Sequence, residues 1–146
     1  YPRGTGPNTK VEKKFVDVKI GKARIIHEAS KNNIMLNFGS LLHIAEQVSH
    51  SLDLTLIDMR FVKPLDEKIL LKYLQSADVF ISIEDGSVMG GAGSAVQEFC
   101  SENGISIKSL LCGIPDRFIE HASRDEMLEE AGLSPEQIKS KIKELI

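Results

Sequence analysis

Short apolar runs that alternate with stripes of helical period constrain this chain more than any other feature of its sequence. Ile34–Phe38, Leu54–Phe61, Val79–Ile83 and Ile105–Leu111 are each too short to be anything but strands. Between the first two, Leu41, Ile44, Ala45, Val48 and Leu52 recur at the spacing of one helix face. Ile69, Leu70, Tyr73 and Leu74 form a second stripe, with Asp66 as a candidate N-cap and Leu65 and Leu70 placed as a hydrophobic staple. Ala95, Val96, Phe99 and Cys100 mark a third helix. Strands alternating with amphipathic helices require a largely parallel sheet covered on both faces, because each right-handed crossover returns over the sheet. The expected fold is therefore a three-layer α/β/α sandwich.

The ends of the chain read differently. Tyr1–Lys10 is rich in proline, glycine and threonine and reads as a linker or tail. Phe15–His27 alternates well enough for extended segments that meet at Gly21-Lys22 and form an edge of the sheet. Ser123 with Glu126, and Ser134-Pro135-Glu136-Gln137 with a Leu133 to Ile138 staple, are capping boxes that open two terminal helices split at Gly132. The 146 residues match one domain, and a sequence that opens on Tyr1-Pro2-Arg3-Gly4 rather than Met is expected to be an excerpt of something longer.

Charge and cysteine usage narrow the partners. Eighteen basic and 21 acidic residues give a net charge of -3 with no basic block, which argues against nucleic acid. No apolar stretch approaches the roughly 20 residues of a membrane span. Cys100 and Cys112 both lie in apolar runs, as buried thiols of a reducing compartment do, so a cytoplasmic location is expected.

Three groups of residues could carry chemistry. Glu84-Asp85-Gly86-Ser87-Val88-Met89-Gly90-Gly91-Ala92-Gly93-Ser94 lies between a strand and a helix, where bare amides at a helix N-terminus could cradle a phosphate. Yet Val96 stands where a dinucleotide fingerprint needs its third glycine, and Ala92-Gly93 where a Walker loop needs Lys and Ser or Thr. Glycines there serve equally for tight helix-on-strand packing. His43, Glu46 and His50 share a helix face and offer a metal site or a solvated stripe; the spacing is not that of a zinc protease, and no metal site is expected. Asp116–His121 sets four ionisable groups around Phe118 and Ile119, which suits either a subunit contact with Phe118 as anchor and Arg117 in an ion pair, or a loop pinned by two core residues. Nothing resembles a nucleophilic elbow.

Tyr1–Gly4, Leu36-Asn37-Phe38-Gly39, Ile57–Asp66, Gly90–Ser94 and Ile114–His121 together resemble the C-terminal domain of the 1-deoxy-D-xylulose-5-phosphate synthases, thiamine-diphosphate enzymes of the transketolase family. The resemblance implies a five-stranded mixed sheet of order 1-3-2-4-5 with an antiparallel edge strand near Ala23–His27. It divides the chain into residues 1–14, the tail of a preceding pyrimidine-binding domain with its linker, and residues 15–146, the C-terminal domain itself. The complete enzyme would condense pyruvate with D-glyceraldehyde 3-phosphate, with thiamine diphosphate and Mg2+ held by upstream domains of a homodimer and neither bound by this segment. Arg3 stands where the family binds the substrate phosphate; no catalytic residue is implied within the segment, which should be structural and inactive alone. The implied strand order reverses beside Gly39-Ser40 and Glu84–Gly93, making Ser40, Glu84, Gly90, Gly91, Gly93 and Ser94 a candidate crevice. Two further readings of the sequence are an anion- or nucleotide-binding regulatory module built on those amides and a fragment of a 2-oxoacid dehydrogenase beta subunit.

Overall fold

A computed structural model describes residues 17–146. The elements are β1 (Arg24–His27), β2 (Asn33–Phe38), α1 (Leu42–Leu52), β3 (Thr55–Asp58), α2 (Glu67–Leu74), β4 (Val79–Ser87), α3 (Ala92–Glu102), β5 (Lys108–Ile114), α4 (Arg124–Glu130) and α5 (Pro135–Leu145). The strands form one five-stranded sheet in the order β1-β3-β2-β4-β5. β1 runs antiparallel to β3, and the other neighbours are parallel. This is the expected α/β sandwich with its antiparallel edge.

Strand alternation divides the core in two. Met35, Leu56, Ile81, Ile83 and Cys112 point to one face, where Ile44, Ala45 and Val48 of α1 and Ile138 and Ile142 of α5 cover them. Ile34, Leu36, Phe38, Ile57 and Phe80 point to the other, under Leu70 and Leu74 of α2 and Val96, Phe99 and Cys100 of α3. Leu133 and Ile138 are both fully buried at the start of α5, as the staple requires. The capping box of α4 is formed, with Ser123 N–H donating to Glu126 Oε2 at 3.0 Å and Glu126 N–H to Ser123 Oγ at 3.4 Å.

Five expectations are corrected. Residues 17–20 take no part in the sheet, so the edge is the short β1 alone, while Phe15 and Val16 lie outside the described residues. The strand expected to reach Phe61 ends at Asp58, because Arg60 turns the backbone out with φ of 61°. β4 continues to Ser87 through a register shift after Ile83, and β5 begins only at Lys108, since Ile105 N–H still caps α3 by donating to Cys100 O at 2.8 Å. Asp66 sits at the N-cap of α2 but makes no capping bond with its side chain. Its carboxylate instead accepts from Ala23 N–H at 3.1 Å and Lys22 Nζ at 3.3 Å, which ties the lead into β1 to the start of α2.

Both cysteines are free and buried, one on each side of the sheet. Burial pushes the Cys112 thiol up from its ordinary 9.0 to about 11 and raises that of Cys100 as well. Neither thiol should react with iodoacetamide at neutral pH in the native protein, whereas both should label after denaturation; rapid native labelling at Cys112 contradicts the packing. The unfolded thiol ionises first, so this contribution to stability is complete below pH 9 and declines as pH rises toward 11, which urea melts across that range will register.

Candidate functional site

The strand order reverses at β2, whose two neighbours β3 and β4 are reached by crossovers to opposite sides. Such a point opens a crevice at the carboxyl ends of the strands. Here it has a volume of about 530 Å³ and is lined by Phe38, Gly39, Arg60, Val62, the end of β4 from Glu84 to Ser87, and Met89 to Ala92. Val62 and Met89 reach it as exposed apolar side chains.

Glu84 decides what this crevice can hold. Phe80, Ser82 and Glu84 alternate onto the α3 side of β4, and Glu84 is only 3% exposed. A buried carboxylate needs donors, and it finds them at the first turn of α3, where Ala92 N–H donates to Oε2 at 2.5 Å and Gly93 N–H to Oε1 at 3.1 Å. The helix amides expected to cradle a phosphate are thus occupied by a carboxylate of the chain itself. Small residues make the approach possible. A Cβ on Gly91 would collide with Ser87 O and Glu84 Oε2, one on Gly93 with Ser82 Oγ and, at 2.8 Å, with Leu111 Cδ2, and one on Gly113 would lie 2.8 Å from Glu84 Cγ. Gly90 serves the turn only, with φ of 67° and open space where a Cβ would stand.

The other expected residues are dispersed. Ser94 Oγ donates to Val88 O at 3.1 Å, which closes the loop on itself. Ser40 donates to Asp85 and accepts from Arg124 Nη2 at 2.7 Å, a surface bridge between the β2 loop, the β4 loop and α4. Of the six crevice candidates, Glu84, Gly90 and Gly91 line the cavity, whereas Ser40, Gly93 and Ser94 do not. Arg3 lies outside the described residues. His43 is exposed, and His50 stacks on His27 with ring centroids 4.1 Å apart instead of joining Glu46 around a cation. Among the described residues no cluster of three or more His, Cys, Asp or Glu could hold a metal ion, and no helix is long and apolar enough to cross a membrane.

Asp58 and Arg60 were not singled out from the sequence, although their spacing after a strand was visible. Asp58 is 9% exposed and gathers three partners: Asn37 Nδ2 at 3.3 Å, Arg24 Nη2 at 3.5 Å and Arg60 Nε at 3.7 Å. With Asp66, it makes part of the run Ile57–Asp66 a brace for the edge strand, while Arg60 and Val62 of the same run line the crevice. Gly21 belongs to the same brace, since a Cβ there would stand 2.9 Å from Pro64 Cγ. A cleft of about 500 Å³ also opens at the other end of the sheet, between the last turn of α3 and the start of β5, but no charged side chain lines it.

The profile described as "Transketolase, C-terminal domain" matches residues 21–138. The chain belongs to the transketolase C-terminal domain family. Its fold agrees with that of a solved structure titled "Split gene transketolase, inactive beta4 tetramer", at a TM-score of 0.80 and 23% identity, over 93% of this chain and 45% of that one. The transketolase of Campylobacter jejuni aligns at a TM-score of 0.64 and 20% identity, over 92% of this chain and 20% of that one. Closer in sequence are curated proteins named 1-deoxy-D-xylulose-5-phosphate synthase. That of Xanthomonas campestris pv. campestris is 42% identical over 142 residues, 97% of this chain and 22% of that protein. Those of Stutzerimonas stutzeri and Pseudomonas aeruginosa are 46% identical over 91% of this chain and 42% identical over 99% of it, covering 21% and 23% of the relatives. The chain spans about a fifth of the length of the curated relatives it matches.

In this transketolase C-terminal domain the Glu84 bond to α3 is a structural joint, and its removal has a measurable cost. Glu84→Ala leaves two buried N–H donors without an acceptor and should lower stability by about 2–4 kcal/mol in urea melts. Glu84→Gln keeps one acceptor and should lose about half as much. Equal losses from the two substitutions would mean that the paired amides are not what holds α3.

Proposed function

We propose that the chain is the C-terminal domain of a 1-deoxy-D-xylulose-5-phosphate synthase. The observation that carries this is identity of 42% to a protein of that name over 97% of this chain but 22% of the relative, which makes the segment one module of a longer catalyst. The complete enzyme is then a transketolase-type transferase that joins pyruvate to D-glyceraldehyde 3-phosphate, releases carbon dioxide and forms 1-deoxy-D-xylulose 5-phosphate for isoprenoid, thiamine and pyridoxal synthesis. We assign residues 1–14 to the tail of the preceding pyrimidine-binding domain and residues 15–146 to this one, within a cytoplasmic homodimer.

Thiamine diphosphate and Mg2+ do not fit the described residues. The amides that could meet a diphosphate are bonded to Glu84, and no carboxylate cluster is available for the cation. We therefore place the cofactor and the chemistry on the other domains, with this segment inactive alone. Its contribution to the reaction is Arg3, whose guanidinium would hold the phosphate of glyceraldehyde 3-phosphate by paired charge-assisted hydrogen bonds. An independent anion-binding module is disfavoured by the same Glu84 bonds. A 2-oxoacid dehydrogenase beta subunit is disfavoured by the names of the relatives.

A chimera tests the reading. Residues 1–146 are substituted for the matching C-terminal segment of the Pseudomonas aeruginosa synthase and assayed with both substrates, thiamine diphosphate and Mg2+. The chimera should form product, and the isolated chain none; a folded but inactive chimera sinks the assignment, and turnover by the chain alone sinks its structural role. Arg3→Ala in the chimera should raise KM for glyceraldehyde 3-phosphate about ten-fold or more with little change for pyruvate. An equal rise for both substrates would remove Arg3 from the phosphate site.

A further inference from the structure

Seven large apolar side chains stand exposed among the described residues, and the fold draws four of them into one strip: Val18 (56%), Ile20 (76%), Val62 (48%) and Met89 (70%). The link is the packing of Gly21 on Pro64, where a Cβ would stand 2.9 Å from Pro64 Cγ, together with the bonds from Lys22 Nζ and Ala23 N–H to Asp66. Through it the lead-in to β1, with Val18 and Ile20, lies beside the loop that carries Val62. Val62 and Met89 in turn both line the crevice. Asp116–His121 offers nothing comparable. Phe118 is 99% exposed, so the loop is not pinned by two core residues, and Arg117 is bound to α4 with Nη1 2.8 Å from Glu130 Oε1, which leaves a single ring in solvent.

Bare carbon is what the strip has left to offer. The charged groups of the crevice are engaged within the chain: Arg60 Nε lies 3.7 Å from Asp58, Glu84 accepts from Ala92 and Gly93 N–H, and Asp85 accepts from Ser40. Exposed apolar side chains surrounded by polar groups that are already matched form a surface suited to protein contact, not to a small anion.

We propose that this strip seats the domain that precedes residues 15–146 in the longer chain, laid over the mouth of the crevice. The proposal rests on the reading of the segment as the C-terminal domain of a synthase. The preceding domain is selected by the path of the chain, because residues 17–20 are both the lead-in from that domain and one end of the strip. A covalently joined domain stands over this face at an effective concentration in about the millimolar range, whatever the dilution. A second copy has no such advantage. The matching face is apolar at its centre, since a charge buried there would meet no free partner. In the complete protein the crevice is then a covered space between two domains.

Ile20→Cys, Val62→Cys and Met89→Cys, each placed in the 146-residue chain and in the chimera described above, are to be labelled with a maleimide and read by peptide mass mapping. Each should label at least about ten-fold more slowly in the chimera than in the isolated chain. Ile146→Cys is the control: Ile146 is 51% exposed and borders the first residues of β2, β4 and β5, at the opposite end of the sheet, so it should label alike in both. Val62→Asp should leave the urea melt of the isolated chain unchanged and return the chimera's Met89→Cys to the fast rate. The protection should also survive dilution of the chimera by about 100-fold. Equal rates in chain and chimera, equal slowing of Ile146→Cys, or indifference to Val62→Asp each overturns the proposal, and protection lost on dilution gives the strip to a second copy instead. Labelling is read on the folded chimera whether or not it turns over, so failure here is distinct from failure of the synthase assignment.

Discussion

The bond between the Glu84 carboxylate and the first amides of α3 is the joint on which the carboxyl end of the sheet depends. A carboxylate inside a sandwich is tolerable only if its oxygens are matched, and the opening turn of a helix offers unpaired N–H groups together with a favourable dipole. To bring the two together, β4 must run past its apolar stretch and α3 must begin almost against it. Gly91, Gly93 and Gly113 remove the three Cβ atoms that would stand in the way. The glycine-rich loop is thus explained by an internal anion, and it need not be a site for an external one.

A second consequence is that polar residues at this end of the molecule act on one another. Asp58 draws β1, β2 and the loop after β3 together through Arg24, Asn37 and Arg60, and Asp66 holds the backbone that leads into β1. β1 is only four residues long and shares one neighbour, so its ladder alone would make a frail edge. The two aspartates supply what the ladder lacks. Part of the run Ile57–Asp66, so distinctive in sequence, is accordingly a clamp on the edge strand.

Much of the fold was legible because strand and helix periods differ and this chain keeps both cleanly. The two faces of the sheet follow from the alternation of Ile34, Leu36 and Phe38 against Met35, and of Phe80 against Ile81 and Ile83. Element ends were less legible, because they are set by backbone events that side-chain pattern does not encode: the left-handed Arg60, the register shift after Ile83, and the Ile105 bond that prolongs the end of α3. Asp66 misled for a related reason. An aspartate before a helix suggests a cap, yet a partner 43 residues away in sequence, Ala23 N–H, captures the side chain. Glu84 was legible as a crevice residue, and its bond to α3 could have been found as well. Ser82 and Glu84 place polar groups on an otherwise buried strand face, and a helix that opens on glycine immediately afterwards is a partner sized for them.

With the α3 amides already satisfied, the crevice at the strand reversal keeps little that would attract a phosphate. Arg60 leans on Asp58, Glu84 and Asp85 contribute negative charge, and Val62 and Met89 add exposed carbon. A site built to bind a diphosphate would show the reverse balance, with free donors converging and acids held back. At the crevice that this strand reversal opens, one carboxylate on the α3 face of β4 takes up the first amides of α3.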